Sequence, residues 1–251
     1  MITGISRRTT ITVAVLLYLL TLVWNLPAAV VWRLVAVQLP AEVSLEGLTG
    51  TLWSGQVRRM LVGGIDQGAL AWDWQPGQVL AGHLGLALVW QPRNGRVDAD
   101  LRLAPGRITL ENVSGRLDAA SMAAVNRAPF VLAGTWLLHV PVLELRQFEL
   151  VERAEGRLVW EDAAGGLPQP LQLGHLAADF TSADDWLVLQ LSDQGGPLGL
   201  AGSARWRPGQ PMYIESRLMA RPEAESGLSA GLQLLGAADA QGWVDWRAQL
   251  Q

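Results

Sequence analysis

The sequence contains no cysteine, no lysine and only three histidines. Without cysteine there is no disulfide, no thiol nucleophile and no thiolate metal site. That suits an oxidising compartment, where a stray thiol is a liability, without requiring one. His83, His139 and His175 have no second ligand-type residue at metal spacing, so each is read as structural or exposed. No phosphate loop, dinucleotide fingerprint or metal box is present. The net charge is −4, and no basic cluster marks a nucleic-acid surface. The sequence thus implies no cofactor, no metal and no nucleic-acid partner. Tyrosine (2) and phenylalanine (3) are scarce, whereas tryptophan (12) is abundant, so the large aromatic contacts fall to indoles.

What the sequence does have begins with the apolar run at 9–32, TTITVAVLLYLLTLVWNLPAAVVW. About 24 uncharged residues exceed the ~20 that cross a bilayer core as a helix. Arg7 and Arg8 precede the run; Arg33 ends it, and Glu42 and Glu46 follow. Basic residues stay on the cytoplasmic side, so the expected order is 1–8 cytoplasmic, 9–32 a transmembrane anchor, and 33–251 a β domain outside the cytoplasm. Tyr18, Trp24 and Trp32 are rings of the type that settle at membrane interfaces. Pro27 is tolerable near the outer end of a spanning helix. A cleavable signal peptide would have a shorter apolar core and a small-x-small site undisturbed by proline. A buried soluble helix would show a polar face at helical period, and none is visible.

Past the anchor, period-two alternation predicts a mainly β domain with one wet and one dry sheet face. Val43 and Leu45 alternate with Glu42, Ser44 and Glu46. Leu70, Trp72 and Trp74 share a face, as do Leu84, Leu86, Leu88 and Trp90, and then Val97, Ala99, Leu101 and Leu103. Pro76-Gly77, Asn94-Gly95 and Pro105-Gly106 supply turns, and Asn94-Gly95 suits a hairpin. A short helix is predicted at 118–125 with Asp118 as its N-cap. Strands are predicted at 134–140, 143–150 and 156–161, a loop at 163–170, and four strands between Leu173 and Arg221. Pro222 ends that series. Leu228, Leu232 and Leu235 then take helical spacing over 223–235, and Val244, Trp246, Ala248 and Leu250 form a last strand. The fold expected is a curved antiparallel sheet, open or rolled, with one or two short helices. No composition shift marks a second domain. The tryptophans that punctuate the strands are read as core packing, with an apolar groove as the alternative.

Catalytic signals are weak. Gly227-Leu228-Ser229-Ala230-Gly231 matches the hydrolase elbow G-x-S-x-G, which needs a strand before the serine and a helix after it. Here the match lies inside a predicted helix, and no histidine follows it. Glu161-Asp162 and Asp184-Asp185 read as solvated turn charges. No catalytic, cofactor-binding or metal-binding residue is nominated.

Four stretches do carry a resemblance. They are Leu26-Pro27-Ala28; Gly50-Thr51-Leu52-Trp53-Ser54-Gly55; Leu173-Gly174-His175-Leu176 with Asp193-Gln194-Gly195-Gly196-Pro197-Leu198 and Gly202; and Arg221 with Leu235-Gly236-Ala237-Ala238-Asp239 and Gly242. In these the chain resembles the protein N family of the bacterial type II secretion system. The residues after Gly242 carry no part of the likeness. The resemblance implies a single-pass protein of the Gram-negative inner membrane with a periplasmic β domain and no enzymatic activity. It implies partners among the other inner-membrane secretion components, with the outer-membrane secretin a further candidate. The alternative is a membrane-anchored β protein whose groove binds lipid or another apolar ligand. Stretches 51–55 and 195–198 are read as backbone-shaping turns rather than contact residues.

Overall fold

The computed structural model describes residues 7–35, 43–123, 131–147, 149–166 and 169–250. The chain divides into two compact units, Met1–Trp74 and Gln75–Gln251.

In the first unit the apolar run is two helices, α1 (Arg7–Trp24) and α2 (Ala28–Val35), not the single unbroken helix expected over 9–32. Proline explains the break. Pro27 has no N–H to give to the carbonyl four residues back, and its ring crowds that carbonyl. Along α1 the apolar side chains are exposed all round: Ile11 57%, Tyr18 67%, Leu20 62% and Trp24 53%. Among the described residues, no helix is long and apolar enough to cross a membrane. Six short strands follow: β1 (Val43–Glu46), β2 (Thr49–Gly50), β3 (Ser54–Val57), β4 (Arg59–Val62), β5 (Ile65–Asp66) and β6 (Ala69–Gln75). They pair as β1–β4–β5 and as β2–β3–β6. Val57, fully buried, anchors this unit.

The second unit is an antiparallel sheet whose strands neighbour one another in chain order. They are β7 (Leu84–Gln91), β8 (Gly95–Ala104), β9 (Arg107–Asp118), β10 (Val131–Arg146), β11 (Leu150–Gly166), β12 (Leu171–Ala183), β13 (Trp186–Asp193), β14 (Leu198–Trp206), β15 (Met212–Ala220) and β16 (Val244–Leu250). A 3₁₀ turn, Pro76–Ala81, precedes β7. Two helices interrupt the meander, α3 (Ala119–Ala123) and α4 (Ser226–Leu235).

The register sorts residues by face as the alternation requires. Leu86, Leu101 and Leu110 are consecutive cross-strand partners, as are Leu88 with Ala99 and Leu103 with Ile108. The same side continues through Leu158 and Ala178, then Leu191, Gly202, Ser216 and Trp246. The opposite side is threaded by ion pairs, including Arg102–Glu111 (2.7 Å), Arg107–Glu144 (2.7 Å), Arg116–Glu161 (3.1 Å) and Arg157–Asp179 (3.5 Å). These pairs are half-exposed and contribute little individually, roughly 0–1 kcal/mol each. What they decide is which face stays wet.

Several sequence expectations change in detail. Strand β9 falls where no strand was predicted. Its apolar spacing runs Ile108, Leu110, then Val113, because an extra residue slips the register between Asp98 and Asp100 of β8. Asn112 takes φ 52° there, and its side-chain amide donates to Asp100 (2.9 Å). The predicted strands at 134–140 and 143–150 become one long β10, continuous through Pro141. The proline sits at a register shift between His139 and Val142, one of the few strand positions that tolerates a missing N–H. Residues 163–166, expected in a loop, extend β11, while 167 and 168 lie outside the described residues. The helix expected at 118–125 is α3; Asp118 caps it by accepting from the Ala120 N–H (3.0 Å), and 124–125 lie outside the described residues.

Two apolar clusters hold the second unit together. Leu198, Leu228, Leu232 and Val244 are buried with Leu171, Leu173, Leu176 and Leu218 around them, so α4 lies on the dry face. Ala119, Trp160 and Ala163 form the second, with Trp136 stacked on Trp160 at 4.7 Å. Leu173 and Leu176 belong to both clusters.

Candidate functional site

In the first unit the chemistry gathers at the helix break. Val23 is four residues before Pro27, so its carbonyl is the one the proline leaves without a helical donor. The indole Nε1 of Trp53 donates to that oxygen at 2.9 Å, and the Leu26 N–H adds a longer bond at 3.3 Å. The Leu52 N–H donates to the Leu26 carbonyl (2.9 Å), and Pro27 bridges to Thr51. Asn25 closes the Thr21 carbonyl through both its main-chain N–H (3.0 Å) and its side-chain amide (2.8 Å). The loop that delivers Trp53 is held by its own bonds. The Thr51 N–H donates to the Ser54 carbonyl (2.8 Å), and the Thr51 hydroxyl accepts from the N–H groups of Trp53 and Ser54. Trp24, Trp53 and Trp74 form one ring cluster, with centroids 5.0 Å apart for Trp53–Trp74 and 5.2 Å for Trp24–Trp74. Residues 51–55 form a turn that packs, within the same unit, on the end of α1. Gly55 is part of the contact: a Cβ there would lie 2.5 Å from the Trp72 ring.

In the second unit the resemblance-bearing residues converge on one corner. Asp193 accepts from the Gly195 N–H (3.2 Å), the Leu200 N–H (3.0 Å) and the Arg221 guanidinium (2.5 Å). Arg221 also donates to the Gly196 carbonyl at 2.9 Å. Burial pushes the Asp193 carboxyl upward, but the bonds from Leu200, Arg221 and Gly195 outweigh it and hold it below the usual carboxylate range. Gly174 and Gly196 meet backbone to backbone: a Cβ on Gly196 (φ 113°) would lie 2.5 Å from the Gly174 Cα. Asp239 makes a second such turn, accepting from the N–H groups of Gln241 and Trp243 (both 2.9 Å) just before β16. These residues shape backbone.

The remaining sequence candidates stay apart. The Asp162 N–H donates to His175 Nδ1 (3.2 Å) at a register shift in β11, so Glu161-Asp162 lies in a strand rather than a turn. His139 is exposed on β10, and His83 Nδ1 is buried without a partner. Asp184 and Asp185 form the tight β12–β13 turn, both at positive φ, with Arg146 3.4 Å from Asp185. Ser229 is inside α4, without the strand-to-helix elbow its motif requires. No group of metal-ligating residues occurs among the described residues. Leu86, Leu88, Leu101, Leu103, Ile108, Leu110, Leu143 and Leu145, on the dry face, are each only half-buried.

Comparison with known proteins gives this arrangement a family. The protein is 28% identical over 253 residues to the type II secretion system protein N of Vibrio cholerae serotype O1, covering 92% of this chain and 93% of that one. It is 29% identical over 240 residues to the Aeromonas hydrophila protein of the same name, with the same coverage. No solved structure matches. The profile of the family described as type II secretion system (T2SS), protein N, matches residues 41–247, and the chain belongs to that family.

Proposed function

We propose that this protein is a non-enzymatic, single-pass component of the inner membrane that assists the type II secretion system in moving folded proteins from the periplasm across the outer membrane. The family match over 41–247, nearly all of the β-rich region, carries the reading. In this reading 1–8 is cytoplasmic, 9–32 is the anchor and 33–251 is periplasmic. Support for the anchor is the uncharged run at 9–32 and the all-round apolar exposure of α1 from Ile11 to Trp24. The partners are other inner-membrane components of the machine, with the secretin beyond them.

The sheet offers a means of contact. Among the described residues, strand β16 pairs with β15 on one side only, which leaves main-chain donors and acceptors along Val244–Leu250 for a partner strand. Photocrosslinkers placed at Asp245 and Arg247 in intact cells test this. Adducts with another inner-membrane component of the secretion machine support it; adducts confined to unrelated envelope proteins overturn it.

A second reading, an apolar-ligand groove, is favoured by the half-buried leucines of β7–β10. Lipid co-purifying with the detergent-extracted protein, and lost in Leu86→Glu with Leu88→Glu, would support it.

A further inference from the structure

We propose that the β2–β3 hairpin tip, residues 51–54, seats in the headgroup layer of the lipid bilayer and seals the end of α1 there. This rests on the anchor reading and says where, within the run at 9–32, the part inside the lipid ends. The occupant of the surface formed by Trp24, Trp53 and the outer end of α1 is a phospholipid bilayer.

Three observations carry it. The first is length. The 18 residues of α1 extend about 27 Å, against a hydrocarbon core of about 30 Å. With the Arg7 and Arg8 positions at the inner boundary, Trp24 lies about 24–26 Å further out, a few Å short of the outer boundary, so the break falls at the edge of the hydrocarbon core. The second is the carbonyl inventory. Water satisfies a helix end for free, whereas lipid does not, so a break at membrane depth persists only where other protein groups re-satisfy the backbone. Here the carbonyls of Thr21, Val23 and Leu26 are bonded by Asn25, by Trp53 and Leu26, and by Leu52. Trp53 stands in for the N–H that Pro27 lacks. The third is continuity. The exposed apolar surface of α1 runs through Val23 (47%) and Trp24 (53%) straight onto the rings of Trp53 and Trp74. Indoles with an apolar body and one polar atom concentrate at the headgroup level.

The natural absence of cysteine makes the test direct. The full chain is reconstituted in phosphatidylethanolamine–phosphatidylglycerol vesicles as single-cysteine variants Leu52→Cys and Leu19→Cys, each carrying an environment-sensitive fluorophore. Lipids bearing a nitroxide near the headgroup or at mid-chain then act as quenchers. The proposal predicts that the Leu52→Cys label loses fluorescence to the shallow nitroxide more than to the deep one. The Leu19→Cys label loses it to the deep one. Should Leu52→Cys fail to fold, Ser54→Cys on the same tip reports the same depth. Quenching at Leu19 with none at Leu52 or Ser54 overturns the hairpin proposal and leaves the anchor standing. No quenching at Leu19 overturns the anchor, and the proposal with it. Quenching of the Leu52→Cys label by the deep nitroxide as strong as by the shallow one overturns the headgroup depth of the hairpin.

Discussion

Arg221 holds Asp193 and the Gly196 carbonyl at once, with one guanidinium nitrogen 2.5 Å from the carboxylate and the other 2.9 Å from the main-chain oxygen. This fork joins the start of the β13–β14 turn to the end of β15, just where the chain leaves for α4. Two separated acceptors demand two separated donors, a demand that arginine meets and lysine does not. Arg221→Lys is therefore expected to destabilise nearly as much as Arg221→Ala, by about 1–3 kcal/mol in urea unfolding.

Asp193 gives that corner a pH dependence. Its folded-state acidity is strengthened, so its contribution to stability is complete above the carboxyl's ordinary unfolded value, near ~4. The contribution disappears as pH falls through the lowered folded value. Asp193→Asn is expected to lower stability at pH 7 and to flatten the acid limb of the stability profile. Urea midpoints measured from pH 7 down to acid unfolding check both.

Gly195 and Gly196 are adjacent, both at positive φ, yet only one is crowded. A Cβ at Gly195 meets nothing within 4 Å, whereas one at Gly196 strikes Gly174. Gly195→Ala is expected to cost about 1–2 kcal/mol from the left-handed backbone alone. Gly196→Val is expected to abolish the fold, seen as loss of protease-resistant protein, and intact folding and secretion in that variant would disprove the backbone-shaping role.

In α4, Leu232 is 7% exposed and Leu234 89%. Leu232→Ala is expected to destabilise by about 2–4 kcal/mol, and Leu234→Ala by less than about 0.5. Ser229→Ala is expected to leave secretion unchanged. Urea unfolding and a secretion assay check the three.

At the helix break, Trp53→Phe removes the indole donor and keeps a smaller aromatic ring in the cluster. The expected cost is about 1 kcal/mol, with a larger loss for Trp53→Ala. Thermal melts of the two variants against wild type separate the hydrogen bond from the ring cluster.

Much of the sheet was legible because its apolar residues keep step. Leu84 to Trp90, Val97 to Leu103 and Val244 to Leu250 alternate without a slip, and β7, β8 and β16 lie where that alternation puts them. Strand β9 was hidden by the extra residue near Asn112, which shifts the apolar positions by one. Strand β10 was cut in two by Pro141, a residue that argues against a strand unless the partner shows a bulge. Leu228 and Leu232 announced α4, because their spacing switches to the helical period after Pro222. The helix break was invisible to hydropathy, since residues on both sides of Pro27 are equally apolar. Trp53 stood out only as part of the 50–55 stretch that carries the resemblance; its bond to Val23 spans 30 residues, and no local pattern records it.

In the proposed arrangement the β domain lies outside the cytoplasmic membrane while the run at 9–32 holds it there. Gln249→Cys is exposed in an otherwise cysteine-free chain. In intact cells with a permeabilised outer membrane, a membrane-impermeant maleimide should label it fully, with the protein in the membrane fraction. Labelling only after the inner membrane is broken would place the domain in the cytoplasm and contradict the account.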